Sequence, residues 1–307
     1  MSKIGICYMG SKRKLAKPII DYILKHNPNT KYFYDLFGGG GAMSFEALQR
    51  KQIKEVHYNE FNTGVVDLLK KIRNDGVTPE FYEWIDRETF NEYKDKNCWK
   101  AGLIKTCWSF GNNQKDYMFS PENEYIKKIL HNIIVYKDEY SILQFKKEYN
   151  IDIISELLLS NDIQQRRLDV MNYIKGIDKN RLDLQQLERL QQLERLEQLQ
   201  QLEITNQLEI TNQSYEDVII NTPIDETIIY LDPPYNKTAK YQKEIDYDVL
   251  YEYIRNSPYK IYISSYDFPF NLVKSFRHRS ILSASANNLV TENLYCNKED
   301  INFNDLF

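Results

Sequence analysis

Short apolar runs alternate with helix-periodic segments over the first 76 residues. "KYFYDLF" (31 to 37) predicts a strand, "GGGG" (38 to 41) a turn, and "AMSFEALQRK" (42 to 51) a helix with Met43, Ala47 and Leu48 on one side. "KEVHYNE" (54 to 60) predicts a second strand. "NTGVVDLLKKIRNDG" (62 to 76) predicts a helix, opened by an Asn62 cap and closed by Gly76. This is a βαβα start, the pattern of an α/β sheet with helices on its faces.

From 77 to 181 the pattern turns helical, charged and rich in aromatics, with "CWSFGNNQKDYMFSP" (107 to 121) as its most loop-like interruption. Strand patterns return at "ETIIYL" (226 to 231), followed by a helix at 246 to 256 and strands at 260 to 266, 279 to 285 and 288 to 296. The expected architecture is α/β, with one sheet domain in two parts (1 to 76 and 214 to 307) interrupted by a mostly helical insertion (77 to 181). A Leu-rich connector at 182 to 213 completes the chain. Its core, residues 184 to 213, divides into five six-residue units each beginning with Leu. A step of three residues turns about 300° on an α-helix, so the leucines wind around the axis and cannot form a coiled-coil seam. Helix is expected at least to Leu202, while "LEITNQLEITNQ" is more strand-like. A connector with no chemistry of its own is the expectation, with a small hexapeptide solenoid as the alternative.

Composition narrows the class of protein. Hydrophobic content of 42% suffices to bury a core over 307 residues. No apolar window reaches membrane-spanning length and the N-terminus lacks a signal-peptide pattern, so a cytoplasmic location is expected. Cys7, Cys98, Cys107 and Cys296 lie far apart with no CxxC pair, which argues against a zinc site and a disulfide framework. A net charge of -4 argues against a general nucleic-acid coat. Two local basic runs stand out, "SKRKLAK" (11 to 17) and "KSFRHR" (274 to 279). Such runs are most often solvated surface.

Two stretches carry candidate chemistry. In "YDLFGGGGAM" a strand ends in Asp35 and gives way to glycines, which lets a ligand approach bare backbone at the carboxyl end of the strand. The spacing is not GxGxxG and no Walker lysine follows, so neither a dinucleotide fingerprint nor a P-loop is present. Glu60 ends the second strand, where an acid can accept from both hydroxyls of a ribose. These features suggest an adenosine-containing cofactor. In "IIYLDPPYNKT" a buried strand runs into an acid, two prolines and a tyrosine. Alone, "DPPY" would read as a type I turn with a buried tyrosine.

Together, "YMGSKRKL" (8 to 15), "DLFGGGG" (35 to 41), "NEFN" (59 to 62) and "DPPY" (232 to 235) resemble the Dam-like adenine-specific DNA methyltransferases, in order and in spacing. The resemblance covers 5 to 67 and 213 to 296 and fades in the insertion. It implies a Rossmann-like catalytic sheet, a helical target-recognition insertion, S-adenosylmethionine as cofactor, no metal, and double-stranded DNA as partner. It leaves the oligomeric state and any partner nuclease open. Tyr8 and Lys12 would hold the methionine part of the cofactor, with Lys12 near its carboxylate. Asp35, Phe37, Gly39 and Gly41 would form the loop, and Glu60 would bind the ribose.

Adenine methylation needs the base out of the helix, held flat, with its amine facing the sulfonium methyl. Asp232 and the Pro233 carbonyl would accept from that amine, Pro233 and Pro234 would hold the turn rigid, and Tyr235 would stack on the base. Relatives usually place an Asp-Tyr pair before the DPPY strand, where this chain has Ser214-Tyr215. That removes a contact to the cofactor's adenine ring, which Ser214 or Asp217 could partly replace. In the insertion, Asn112, Asn113, Gln114 and Lys115 combine the groups suited to base edges. The competing reading makes 108 to 121 a solvated loop anchored by Trp108 and Phe110. Two functional alternatives stand beside adenine methylation: methylation of a cytosine amine, and a DNA-binding module that keeps the fold without turnover.

Overall fold

The computed structural model describes residues 5–6, 11–177, 190–202, 204–234, 245–279 and 289–299. The chain divides into two compact units, one mainly Gly10–Arg73 with Leu202–Phe307 and the other mainly Asn74–Gln201.

The first unit is built on a sheet. Its strands are β1 (Tyr32–Asp35), β2 (Glu55–Asn59), β3 (Leu208–Thr211), β4 (Thr227–Leu231), β5 (Lys260–Ser265), β6 (Asn271–Arg279) and β7 (Leu289–Cys296). They lie in the order β3-β2-β1-β4-β5-β7-β6, parallel from β3 to β5. β7 runs antiparallel to both β5 and β6. Every residue of β4 is buried, as a strand covered on both faces requires, which is why its sequence after Thr227 is a continuous run of Ile, Ile, Tyr and Leu.

Alternate residues divide between the two faces. Tyr34, Ile229, Leu231, Ile261 and Ile263 share one core with Leu250 and Ile254 of a helix at Tyr247–Asn256. On the other side, a helix at Ala16–His26 is followed by Asn27, whose amide donates to the Tyr262 hydroxyl at 2.8 Å. Helices at Ala42–Leu48 and Thr63–Asp75 complete the βαβα start, and Gly76 has the positive φ (71°) of a residue just past a helix end. From β1 the chain moves outward to β2 and β3 on one side, then returns to β4 and moves the other way. The crevice beyond the carboxyl ends of β1 and β4 is therefore the topological switch point, where open α/β sheets hold ligands.

One strand differs from expectation. The strand expected at 279 to 285 lies, beyond Arg279, outside the described residues, whereas β6 occupies Asn271–Arg279. The basic run 274 to 279 thus belongs to an edge strand, with Lys274 and Arg277 among its residues. Charged side chains on an edge discourage pairing with other chains, so this run has a structural use.

The second unit is helical. It contains Arg87–Tyr93, Trp99–Cys107, Pro121–Tyr136, Glu139–Tyr149, Ile163–Ile177 and Gln191–Gln200. Trp84, Trp108, Phe119 and His131 form an aromatic cluster, with Trp84 edge-on to Trp108 at 5.0 Å and stacked on Phe119 at 5.7 Å.

The Leu-rich stretch is split between the units. Residues 191–200 form a helix that packs against Trp99–Cys107, Ile163–Ile177 and a short turn at Pro79–Tyr82, while 208–211 form β3. Leu190, Leu193, Leu196 and Leu199 are all fully buried. At about 300° per three-residue step, the leucines from 190 to 199 spread over roughly half of the helix circumference, and neighbours on several sides cover them. Arg195 lies in the same helix, buried, and donates to the carbonyls of Cys107 (3.1 Å) and Ser109 (2.8 Å). A cation there satisfies the free carbonyls at the end of Trp99–Cys107 and complements its dipole.

Candidate functional site

The glycine loop after β1 takes its shape from contacts with β2. Gly38 N donates to Asn59 O at 2.8 Å, and Gly41 N donates to Gly38 O at 2.7 Å. A Cβ on Gly38 would lie 2.2 Å from the Tyr58 ring, and one on Gly41, whose φ is +72°, would lie 2.6 Å from the Phe45 ring. Only glycine allows this close approach. Glu60 then locks the loop: its Oε2 accepts from Gly39 N at 2.7 Å and its Oε1 from Asn62 N at 2.8 Å. Burial pushes the Glu60 carboxyl above its usual range, and the N–H groups of Asn62, Gly39 and Phe61 oppose that push. Each carboxylate oxygen has a second lone pair, so Glu60 can still accept from a ligand hydroxyl.

Asn59 ties the ends of three strands. Its amide donates to Leu36 O (3.2 Å) and Gln213 O (3.0 Å), and its oxygen accepts from Thr211 Oγ1 (2.9 Å) and Gln213 N (3.2 Å). Ser214 follows directly and is half-buried, while Asp217 is exposed. Tyr215 packs against Phe37, ring centroids 5.2 Å apart, so the loop after β3 lies beside the loop after β1.

Two carboxylates dominate the crevice. Asp35, at the end of β1, is 1% exposed. Its Oδ2 accepts from Ser44 Oγ at 2.7 Å, but its Oδ1 is buried with no hydrogen-bond partner among the described residues. Burial pushes the Asp35 carboxyl up to about 7; the Ser44 hydrogen bond opposes this and the charges of Asp232 and Glu60 add to it. Asp232 follows β4, and its Oδ1 accepts from Lys12 Nζ at 2.8 Å. Burial raises the Asp232 carboxyl to about 6, held back by the Lys12 ammonium and raised further by Glu292. Lys12 Nζ is also 3.4 Å from Glu292 Oε1. The turn after Asp232 is braced by the Tyr247 hydroxyl, which donates to Pro234 O. Desolvated carboxylates beside an unpaired acceptor suit a ligand that carries positive charge or donates hydrogen bonds.

The structure thus gathers Lys12, Asp35, Phe37, Gly39, Gly41, Glu60, Ser214, Asp232, Pro233 and Pro234 in one unit, from both parts of the sheet. Tyr8 and Tyr235 lie outside the described residues. Lys12, expected near a cofactor carboxylate, has its ammonium 2.8 Å from Asp232 and 3.4 Å from Glu292.

Asn112, Asn113, Gln114 and Lys115 belong to the helical unit. They tip a hairpin-like loop closed by Phe110 N to Asp116 O (2.8 Å) and Met118 N to Trp108 O (2.9 Å). Gly111, Asn112 and Gln114 all have positive φ. The Asn113 side chain folds back, accepting from the N–H groups of Lys115 (2.9 Å) and Asp116 (3.0 Å) and donating to Asp116 Oδ2 (2.7 Å). Trp108 anchors the loop in the core, but Phe110 is 64% exposed.

Sequence reasoning passed over Ser44, Asn59 and Glu292. Ser44 sits near the start of the helix after the glycines, and Asn59 opens the "NEFN" run, so both stood beside motifs already recognised. Glu292, inside an otherwise ordinary strand pattern, carried no local signal.

Among the described residues no helix is long and apolar enough to cross a membrane. Among curated proteins, no sequence matches the chain. The family model of the D12 class N6 adenine-specific DNA methyltransferases matches residues 8–302, nearly the whole chain. A seven-stranded, mostly parallel α/β sheet of Rossmann-like type, bearing an acid-Pro-Pro turn at its switch point, is consistent with that match. The chain therefore belongs to the D12 class N6 adenine-specific DNA methyltransferase family, whose members place a methyl group on the amine of adenine in DNA.

Proposed function

We propose that S-adenosylmethionine is the methyl donor, that the crevice beyond β1 and β4 holds it, and that Asp232 receives the amine of an adenine flipped out of double-stranded DNA. The observation that carries this reading is the buried, unpaired oxygen of Asp35 beside Asp232, at the mouth of a loop with no room for side chains. The residues fit the donor. Asp35 Oδ1 offers an acceptor that the protein leaves unused, Gly39 and Gly41 leave backbone bare, Phe37 offers a ring, and Glu60 keeps free lone pairs for ribose hydroxyls. Tyr8 and Lys12 would hold the methionine part, and Ser214 would meet the adenine ring. When bound, the donor supplies an electrophilic methyl on a sulfonium.

The protein supplies position and charge. Asp232, as carboxylate, accepts from the amine and aims its lone pair, and the Pro233 carbonyl provides a second acceptor. As the nitrogen becomes positive, the carboxylate stabilises it and then accepts its proton at an oxygen. Pro233 and Pro234 restrict the backbone and the Tyr247 hydroxyl braces it, so these acceptors are in place before the base arrives. Tyr235 would stack on the extruded base, and Asn112, Asn113, Gln114 and Lys115 would read base edges in the groove. A cytoplasmic location follows from this substrate.

The test is transfer of labelled methyl from S-adenosylmethionine to duplex DNA, followed by digestion to nucleosides. N6-methyladenine formed by the wild type and lost in Asp232→Ala is the expected result. Equal activity in the two proteins would remove Asp232 from the mechanism.

A further inference from the structure

Glu292 stands out as a charged residue in a strand row that otherwise faces the core. It alternates along β7 with Leu294 and Cys296, both fully buried. An acid there pays a desolvation penalty that an apolar residue would avoid, so packing alone does not account for it. It faces the Lys12 ammonium at 3.4 Å, while Asp232 holds the same ammonium at 2.8 Å, and the Lys12 and Glu292 side chains are 7% and 4% exposed. With all three ionised, two carboxylates share one cation and the group carries one negative charge in excess.

We infer that Glu292 is a positioning residue for methyl transfer, acting through Lys12: it takes up the ammonium when the adenine amine reaches Asp232. The inference rests on the proposed role of Asp232. An amine that gains positive charge next to Asp232 meets Lys12 as a like charge, and a Lys12 bound to Asp232 alone would neutralise the carboxylate the reaction needs. Glu292 removes both problems, because a Lys12–Glu292 pair leaves Asp232 its full charge. Lys12 already lies within ion-pair range of both acids, so the exchange needs a side-chain adjustment and no backbone rearrangement.

Among the described residues, the groups facing Asp232 are Lys12 ahead of the first helix, Glu292 on β7, Tyr230 on β4, Tyr266 after β5 and Asp35 on β1. Burial raises both tyrosine hydroxyls, and Tyr230 donates to Ser264 Oγ at 2.7 Å, so neither ionises near neutral pH. Asp232 is active as carboxylate, so activity falls as pH drops through its titration. Removing the negative charge of Glu292 favours that carboxylate and moves the acid limb to lower pH.

The experiment follows single-turnover methyl transfer against pH at saturating donor, for wild type, Glu292→Gln, Lys12→Met and the double variant, with donor affinity measured by calorimetry. Glu292→Gln is expected to lower the plateau rate about tenfold, the effect of losing one charge-assisted partner, and to move the acid limb down by about one pH unit, with donor affinity unchanged. Lys12→Met should move the limb up, and adding Glu292→Gln to it should bring the limb back down. A wild-type plateau or a wild-type limb in Glu292→Gln, or a double variant whose limb matches Lys12→Met, overturns the inference. The two comparisons are independent, so either decides if a variant of the other does not fold. Inactive wild type, or an active Asp232→Ala, would instead remove the reading on which the inference rests.

Discussion

Replacing Asp35 with Asn should make the protein more stable above neutral pH and less stable in mild acid, while weakening its hold on the methyl donor. Asp35 is fully buried, and its carboxyl is raised from 3.8 to about 7. Between those values the unfolded chain releases the proton and the folded chain keeps it, so folding stability falls as pH rises and levels off above about 7. The gap corresponds to roughly 4 kcal/mol at most. Asn avoids that cost but has its own: its oxygen can still accept from Ser44, while its NH2 group takes the place of the oxygen that has no partner. An unsatisfied buried donor costs about 1–3 kcal/mol. The variant should therefore lose at about pH 4.5, gain about 1–3 kcal/mol at about pH 8, and cross the wild type between. Urea unfolding at several pH values measures this directly, and the wild-type-minus-variant difference cancels the other titrating groups. Calorimetry should show weaker donor binding throughout. Parallel stability curves for the two proteins would refute the reasoning, since Asp35 would then ionise in the folded state as freely as in the unfolded one.

Gly38→Ala places a methyl 2.2 Å from the Tyr58 ring and should cost about 1–3 kcal/mol together with donor binding. Gly76→Ala meets no atom within 4 Å and should cost only the left-handed strain, about 1 kcal/mol, with binding intact; equal effects in calorimetry would contradict the loop geometry. Arg195→Ala strips the carbonyls of Cys107 and Ser109 of their buried donor and should destabilise the helical unit by about 2–4 kcal/mol in denaturant titration. A neutral result would mean that the end of that helix is reached by water. Alanines at Asn112 to Lys115 should relax site preference by about 1–3 kcal/mol for each hydrogen bond to a base edge that they remove, leaving donor affinity unchanged. Preserved discrimination against competitor duplexes would place base recognition elsewhere. Asn113→Ala should in addition loosen the loop, because its side chain closes the turn.

Much of the sheet was readable because its strands are buried on both faces and its helices carry one apolar stripe, patterns that survive in sequence. "YFYD" and "TIIYL" are found as β1 and β4 within a few residues of expectation. β6 was missed for the opposite reason. As an edge strand carrying Lys274, Ser275 and Arg277, it resembles a solvated basic run. The Leu-rich stretch was harder still. A three-residue spacing rules out a two-stranded seam, but it does not say that neighbouring elements will cover a face as wide as the one carrying Leu190 to Leu199, as they do here.

By itself the sequence determined which groups the chain could offer: an acid at the end of each of two buried strands, a turn that only glycine can make, and a proline-stiffened acid whose motif order points to adenine methylation. These are local matters, set by propensity, burial period and the size of a side chain. Only the tertiary structure decided which of these groups meet. Lys12 reaches Asp232 across 220 residues, and Glu292 joins them from an antiparallel strand whose register sets the distance to the ammonium. The charge state of such a cluster depends on desolvation and on separations of a few ångströms, and neither quantity exists until the sheet has formed.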